Sequence, residues 1–198
     1  MKKIFAFIIL MLPLCVVAQD KFVITDTFDG GKFQWDEAFE KDYTVCIMDG
    51  YYLVENKDNN RSVFGTADMP IEVGKNFKLK VKINVPKIKK DKYWGIIFDF
   101  VDEDNFSAFL VAEKKCKIVN IIDGRSRRVR QLPIILSAKK NKDVVIEVER
   151  KSNKLTFSVD EMEAATITRL LSSTCFGFIV DGENSIKVDE ISIEQRVD

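Results

Sequence analysis

Short apolar runs alternate with polar turns along the chain, and several runs have the period of two that a β-strand requires. In residues 77–85, FKLKVKINV, one face carries Leu79, Val81, Ile83 and Val85, while lysine and asparagine side chains occupy the other. Since successive side chains of a strand point to opposite sides, this pattern predicts a half-buried strand. Residues 144–149 and 155–159 repeat it on both sides of a polar turn and predict a β-hairpin.

A second kind of run is apolar on both faces. Strands of this kind lie centrally in a sheet, and their second face is either covered by loops or lines a groove. The four runs are WGIIFDFV (94–101), FSAFLVA (106–112), KIVNII (117–122) and CFGFIV (175–180).

Turn residues separate these runs. Asp-Gly pairs at 49–50, 123–124 and 181–182 follow apolar runs and predict hairpins, because both positions of such a turn need a positive φ. We expect about twelve strands, with residues 36–41 and 161–171 as helical candidates that lack an apolar stripe. Many short strands are typical of a sandwich or a closed barrel, and the two kinds of strand favour a two-sheet all-β sandwich.

The amino terminus has the features of a secretory signal peptide. Lys2 and Lys3 precede an apolar run at 4–14, and Ala18 completes a small-residue cleavage signal. We expect residues 1–18 to be removed and residues 19–198 to form one domain. Lipid anchoring at Cys15 is disfavoured because the preceding residue is a leucine. No later stretch is long enough to span a bilayer, so we expect a secreted or periplasmic protein.

Charge and composition exclude several functions. Without residues 1–18 the chain has 29 basic and 31 acidic residues. The net charge near −2 does not indicate the excess of basic residues that nucleic-acid binding requires. The chain contains no histidine, which excludes Ser-His and Cys-His catalysis and every histidine-ligated metal. We therefore expect no cofactor, and any enzyme here would have to use carboxylates, lysine, tyrosine or a hard cation.

Three cysteines remain after signal removal, at positions 46, 116 and 175. None belongs to a C-x-x-C pair, so a structural zinc site is not indicated. In an oxidising compartment they could form one disulfide with one thiol left over, or stay as three buried thiols.

The acidic segment 102–105, Asp-Glu-Asp-Asn, lies between two of the doubly apolar runs. A helix–loop–helix calcium site would need a side-chain oxygen where Phe106 lies and glycine where Ser107 lies, so that motif fails. A turn in which Asp and Asn side chains bond to their own backbone is favoured. An irregular calcium site that uses Asp102 and Asp104 is the alternative.

Asp99 is an acidic residue within a doubly apolar strand. Such a carboxylate must be exposed in a groove or paired when buried, so structural pairing, ligand contact and catalysis are its three interpretations. Several aromatic residues could stack on a sugar ring, or belong to the core. Adjacent Tyr51 and Tyr52 must point to opposite faces. Trp35 could be a platform or a lid, and residues 125–130, RSRRVR, are either an anion contact or a charged edge strand.

The order of these strand motifs resembles the concanavalin A-like lectin/glucanase superfamily, closest to secreted bacterial laminin G-like and 3-keto-disaccharide hydrolase-like domains. The resemblance covers residues 22–195 and implies a jelly-roll sandwich whose concave sheet binds ligands. The glucanase signature Glu-x-Asp-x-x-Glu is absent. The motifs that carry the resemblance are DTFDGGKFQW, CIMDGYYLVEN, NFKLKVKINV, YWGIIFDFVDEDNFSAFLV, VVIEVERKSNKLTFSVDE, CFGFIVDG and SIKVDEISI.

We therefore expect a non-catalytic, lectin-like domain that binds carbohydrate on its concave sheet. A glycan-active hydrolase and a structural or adhesion module that contacts protein are the alternatives. The predicted ligand contacts are Asp99, Trp94, Trp35, Tyr52, Phe109 and Arg128.

Overall fold

The computed structural model describes residues 21–86, 89, 91–133 and 142–196. The predicted signal peptide, including Cys15, lies outside the described residues, as do positions 87, 88 and 90 of the basic segment 87–92. In the described part of the chain, no helix is long and apolar enough to cross a membrane.

The described residues form fifteen strands, more than the twelve expected from the sequence. They are β1 (Lys21–Asp26), β2 (Ala38–Phe39), β3 (Tyr43–Met48), β4 (Tyr51–Asn56), β5 (Ser62–Asp68), β6 (Phe77–Val85), β7 (Trp94–Asp102), β8 (Asn105–Val111), β9 (Lys115–Ile122), β10 (Arg125–Pro133), β11 (Lys142–Lys151), β12 (Lys154–Val159), β13 (Met162–Thr168), β14 (Cys175–Asp181) and β15 (Asn184–Arg196).

The described strands pair into two antiparallel sheets, which confirms the predicted all-β sandwich. The nine-stranded sheet has the order β13-β12-β11-β6-β15-β4-β3-β2, and β1 adds to it by pairing with β15. The six-stranded sheet has the order β10-β9-β8-β7-β14-β5. The four doubly apolar runs are β7, β8, β9 and β14, and they occupy the interior of the six-stranded sheet as predicted.

The main core lies between the two sheets. The apolar face of β6 and β11 supplies buried valine, isoleucine and leucine side chains, and the six-stranded sheet supplies rings such as Trp94, Phe98 and Phe109. Phe109 stacks on Phe157 of β12 with ring centroids 5.0 Å apart, a separation at which aromatic pairs attract. Burial of so many apolar side chains is the main stabilising term of such a fold.

The opposite face of the nine-stranded sheet is polar. Lys78 of β6 pairs in register with Glu149 of β11 and reaches diagonally to Glu147, with Nζ and Oε1 2.8 Å apart. Exposed pairs of this kind contribute about 0–1 kcal/mol each, so this face contributes solubility more than stability. Glu147 and Glu149 are half-buried on this face.

Two of the three predicted Asp-Gly hairpins are confirmed. Residues 49–50 have φ values of 50° and 74° and join β3 to β4, and residues 123–124 have φ values of 50° and 69° and join β9 to β10. The third prediction is wrong. Asp181-Gly182 joins β14 of the six-stranded sheet to β15 of the nine-stranded sheet, so this turn carries the chain across the sandwich.

The two helical candidates are also wrong. Residues 36–41 contain the two-residue strand β2, and residues 161–171 contain β13. In β13 the register pairs Ala165 with Phe157, so that Ala165 is buried in the core while Glu163 is exposed. Pairing with β12 and this burial outweigh the weak local preference for helix.

Candidate functional site

The six-stranded sheet carries a second apolar cluster on the face that points away from the main core. Because neighbouring side chains of a strand alternate, this face takes the residues that the main core leaves out. We call this surface the outer apolar face. Its buried members are Tyr93, Ile97, Phe106, Ala108, Leu110, Ala112, Val119 and Ile179, and the half-buried Phe64, Phe100 and Ile121 pack against them.

Three phenylalanine rings meet on the outer apolar face. Phe64 of β5 lies 5.7 Å from both Phe100 of β7 and Phe106 of β8, and the last two rings lie 6.0 Å apart, measured between ring centroids. All three distances fall within the range of favourable aromatic pairs. On the same face, the register sets Gly177, Ile97 and Ala108 side by side across three strands.

A cleft of about 320 Å³ opens on the outer apolar face. Its floor is apolar and its rim is polar, an arrangement typical of small-ligand sites. The floor side chains are Phe64, Phe106, Ala108, Leu110, Val119, Ile121 and Ile179, and the rim is formed by Ser62, Glu103, Asp104, Lys117, Gly124, Ser126 and Asp181.

The charges around this cleft are mixed but mainly acidic. At the end formed by β5 and β14, Ser62 Oγ donates a hydrogen bond of 3.2 Å to Asp181 Oδ1. Glu103 and Asp104 come from the turn between β7 and β8. Lys117 of β9 places Nζ 3.8 Å from the centroid of the Tyr93 ring, a cation–π contact at one margin of the face.

The acidic segment at 102–105 is a turn, as favoured from the sequence. Asp102 Oδ1 accepts hydrogen bonds of 2.9 Å from the Asp104 backbone N–H and from Asn105 Nδ2. Asn105 Oδ1 in turn accepts a bond of 3.2 Å from the Asp123 N–H, which ties this turn to the neighbouring hairpin. Among the described residues, no group of three or more histidine, cysteine or acidic side chains is arranged to hold a metal ion.

Most of the predicted ligand contacts lie in the main core instead of on the outer apolar face. Trp94, Tyr52 and Phe109 have no exposed surface, so they meet no ligand in this conformation. Trp35 is 7% exposed and packs against Tyr52, with ring centroids 4.8 Å apart. Of its two interpretations, a sugar platform and a lid of the sandwich, this burial matches the lid. Tyr51 points away from the core, as its neighbour's burial requires, and lies under Lys187.

Asp99 is buried in an ion pair with Arg169, the structural interpretation of this residue. It has a φ of 55°, and the pairing of β7 with β8 shifts between Phe98 and Asp102. Its Oδ2 accepts hydrogen bonds from Arg169 Nε at 2.9 Å and Nη2 at 2.6 Å. Asn120 Oδ1 accepts a further bond of 2.9 Å from Arg169 Nη1.

The second oxygen of Asp99 holds the segment before β14. Oδ1 accepts hydrogen bonds from the backbone N–H groups of Ser172 at 2.6 Å and Ser173 at 3.0 Å, and from the Ser172 hydroxyl at 2.9 Å. Burial opposes ionisation of this carboxyl, but the bonds from Ser172 and Arg169 and the charge of Arg169 outweigh it. The pKa of Asp99 is therefore lowered from its ordinary value.

Arg128 lies in β10, an edge strand of the six-stranded sheet, and its side chain is outside the described part of the chain. The edge-strand interpretation of the arginine-rich run is confirmed. Arg130 Nη1 donates a hydrogen bond of 3.0 Å to the Thr166 carbonyl of β13, which links one edge of each sheet. A ligand contact by Arg128 stays a prediction.

The three cysteines are free thiols, the second of the two arrangements left open by the sequence. Cys46 and Cys116 are buried and Cys175 is half-buried. Burial is the main reason why the pKa of each thiol is raised above its ordinary value. Thiols of this kind pack as small apolar groups and react slowly.

Sequence reasoning missed the residues that line the cleft. The signal was present in FSAFLVA, because once Phe109 and Val111 are assigned to the main core, alternation assigns Phe106, Ala108 and Leu110 to the other face. Phe64 carried no such signal, since β5 is an edge strand with a mixed pattern.

No protein-family model matches the chain, and no curated protein matches it. Solved structures do match. The carbohydrate-binding module CBM66 of Bacillus subtilis superimposes with a TM-score of 0.57 and 12% identity over 84% of this chain and 91% of the module. The CBM2 module of the evolved Dit protein of Lactobacillus casei BL23 phage J-1 superimposes with a TM-score of 0.56 and 11% identity over 91% of this chain and 98% of the module.

A xylan β-1,4-xylosidase of Bacillus halodurans C-125 also matches, with a TM-score of 0.60 and 11% identity over 85% of this chain. The chain spans 38% of that enzyme's length. At these identities the similarities establish a shared fold, and a shared fold does not by itself carry a function.

Proposed function

We propose that this protein is a secreted, non-catalytic carbohydrate-binding domain of the concanavalin A-like type, which holds a glycan on its outer apolar face. The observation that carries this proposal is the apolar cleft of about 320 Å³ with a polar rim on one sheet of the sandwich. Two carbohydrate-binding modules that share the fold, one bacterial and one from a phage, support the same assignment.

The chemistry of the cleft suits a sugar ring. A pyranose has apolar C–H faces that pack against rings such as Phe64 and Phe106, while its hydroxyl groups reach outward to polar partners. Ser62, Asp181 and Ser126 supply such partners at the rim. Apolar contact in the centre with a few oriented polar groups around it is the general plan of small-ligand recognition.

The environment of the Asp99 carboxylate does not favour the hydrolase alternative. A glycosidase acid needs a raised pKa so that it can donate a proton, whereas the pKa of Asp99 is lowered and all of its bonds go to Arg169, Ser172 and Ser173. In this proposal Asp99 acts by anchoring the segment that precedes β14, and the glycan contacts come from the cleft.

Affinity electrophoresis of the purified protein against a panel of soluble neutral polysaccharides tests the proposal. We expect at least one polysaccharide to retard the protein, and Phe64→Ala to weaken that binding about tenfold, the loss expected for a central aromatic contact. Phe39→Ala is the matched control, because Phe39 is 71% exposed and lies in the other sheet.

Thermal unfolding of both variants separates lost binding from lost folding. If no polysaccharide retards the protein, or if the two alanine variants lose affinity equally, the glycan is not bound at this face. Release of reducing sugar from the panel would instead favour the hydrolase.

A further inference from the structure

We infer that the glycan bound on the outer apolar face presents methyl-bearing groups, namely O-acetyl substituents or 6-deoxy carbons, to the cleft floor. This inference rests on the proposed function and specifies the class of glycan. It follows from the distribution of polar groups in the cleft.

The floor side chains contain no hydrogen-bonding group. The seven that line it, Phe64, Phe106, Ala108, Leu110, Val119, Ile121 and Ile179, are aliphatic or aromatic. Register places Ala108 beside Val119 and Phe106 beside Ile121, so the floor is continuous across β8 and β9. A sugar hydroxyl pressed against it would lose water without gaining a partner, which opposes binding.

The exposed part of the floor belongs to its half-buried side chains. Ala108 has no exposed surface and Val119 is 5% exposed, so neighbouring side chains cover both. Phe64 and Ile121 are half-buried and present apolar surface to a ligand, where burial of an apolar group is favourable and burial of a hydroxyl group is not.

The rim disfavours the other common way to modify a glycan, the addition of acidic groups. Among the described residues that line the cleft, Asp181, Glu103 and Asp104 are acidic and Lys117 is basic. Lys117 is already held over the Tyr93 ring. Sulfate or uronate groups would meet like charges at the rim, so substituents that are neutral and apolar fit best.

Pairs of ligands that differ in the methyl-bearing group test the inference on the purified protein. One pair is acetylated xylo-oligosaccharides and the same oligosaccharides after mild alkaline deacetylation. The other is L-fucose and L-galactose, which differ by the hydroxyl at carbon 6. Titration calorimetry should show binding of the methyl-bearing member about 10- to 100-fold tighter in at least one pair, and the pair affected identifies the source of the methyl group.

Ile121→Thr places a hydroxyl group on the floor and should reduce the preference within the pair several-fold. Ile122→Thr is the matched control: Ile122 is the next residue of β9, is 44% exposed and does not line the cleft. It should leave the preference unchanged, and melting temperatures check that both variants fold.

Equal affinity for the two members of each pair, or tighter binding of the hydroxylated members, overturns the inference and leaves the proposed function standing. Absence of binding to these four ligands and to the neutral polysaccharide panel overturns both. An equal loss of preference in the two threonine variants would show that the methyl group does not contact the floor of the cleft, and would also overturn the inference.

Discussion

The ion pair between Asp99 and Arg169 should contribute measurably to stability, and Asp99→Asn is the change that removes this ion pair. Asparagine keeps an oxygen for the three hydrogen bonds that Oδ1 accepts from Ser172 and Ser173. The amide nitrogen then takes the other position and cannot accept the two bonds that Oδ2 receives from Arg169. The variant therefore removes the charge and these two charge-assisted bonds with little change in shape.

The magnitude follows from the burial of the two partners. Removal of one member of a buried ion pair costs about 3–5 kcal/mol. The Asp99 side chain is 2% exposed, but Arg169 is 29% exposed and can recover some hydration. We therefore expect the lower end, about 3 kcal/mol, which in a chain of this size corresponds to a fall in Tm of about 6–12 °C.

The pH dependence gives a second signature. Because the pKa of Asp99 in the folded protein lies below the ordinary value of 3.8, the unfolded chain binds its proton first as the pH falls. The contribution is complete above about pH 4 and is lost as the pH drops through the folded pKa. The difference between wild type and Asp99→Asn should shrink over that window.

Urea unfolding at pH 7 and at several values below pH 4 measures both signatures. Asp102→Asn is the control, since Asp102 is an exposed turn residue whose capping bonds asparagine can also accept, and it should change the free energy of unfolding by less than about 0.5 kcal/mol. A cost below about 1 kcal/mol for Asp99→Asn at pH 7, or an undiminished cost at the lowest pH, would refute the reasoning.

Two further outcomes concern packing. Gly65→Ala should destabilise the protein by about 1–3 kcal/mol, because a Cβ at this position would clash with Tyr52 Oη. Gly74→Ala is the control: a Cβ there would have no atom within 4 Å, so the melting temperature should be nearly unchanged. Equal effects of the two substitutions would contradict the close contact between Gly65 and the Tyr52 side chain. Native-state alkylation followed by mass spectrometry should label the half-buried Cys175 before the two buried thiols, and uniform labelling would contradict the order of burial.

The sequence predicts much of the secondary structure because alternation and turn chemistry are local. β6, β11 and β12 were identified from their period of two, and two Asp-Gly turns from their need for positive φ. The sequence predicts secondary structure less accurately where the local preference of the residues is weak. β13 was assigned as a helical candidate because its pairing with β12 and its contact with the core are tertiary features.

The candidate site was the hardest part to predict. The sequence identified the doubly apolar strands and the need to cover or use their second face, but not which face each ring would take. Trp94 and Phe109 were chosen for the ligand and are core residues, while Phe64, Phe100 and Phe106 meet on the other face. A strand that is apolar on both sides is symmetric in its pattern, so alternation alone cannot say which side faces the second sheet.

The order of residues thus determined the strands, their tight turns and the two-layer architecture, since each depends on neighbours a few positions apart. The tertiary structure decided which sheet received each strand, as in the passage from β14 to β15 through Gly182. It also decided that Asp99 faces Arg169, 70 residues away along the chain. Both outcomes depend on contacts between distant segments, and such contacts form only when the whole chain has buried its apolar surface.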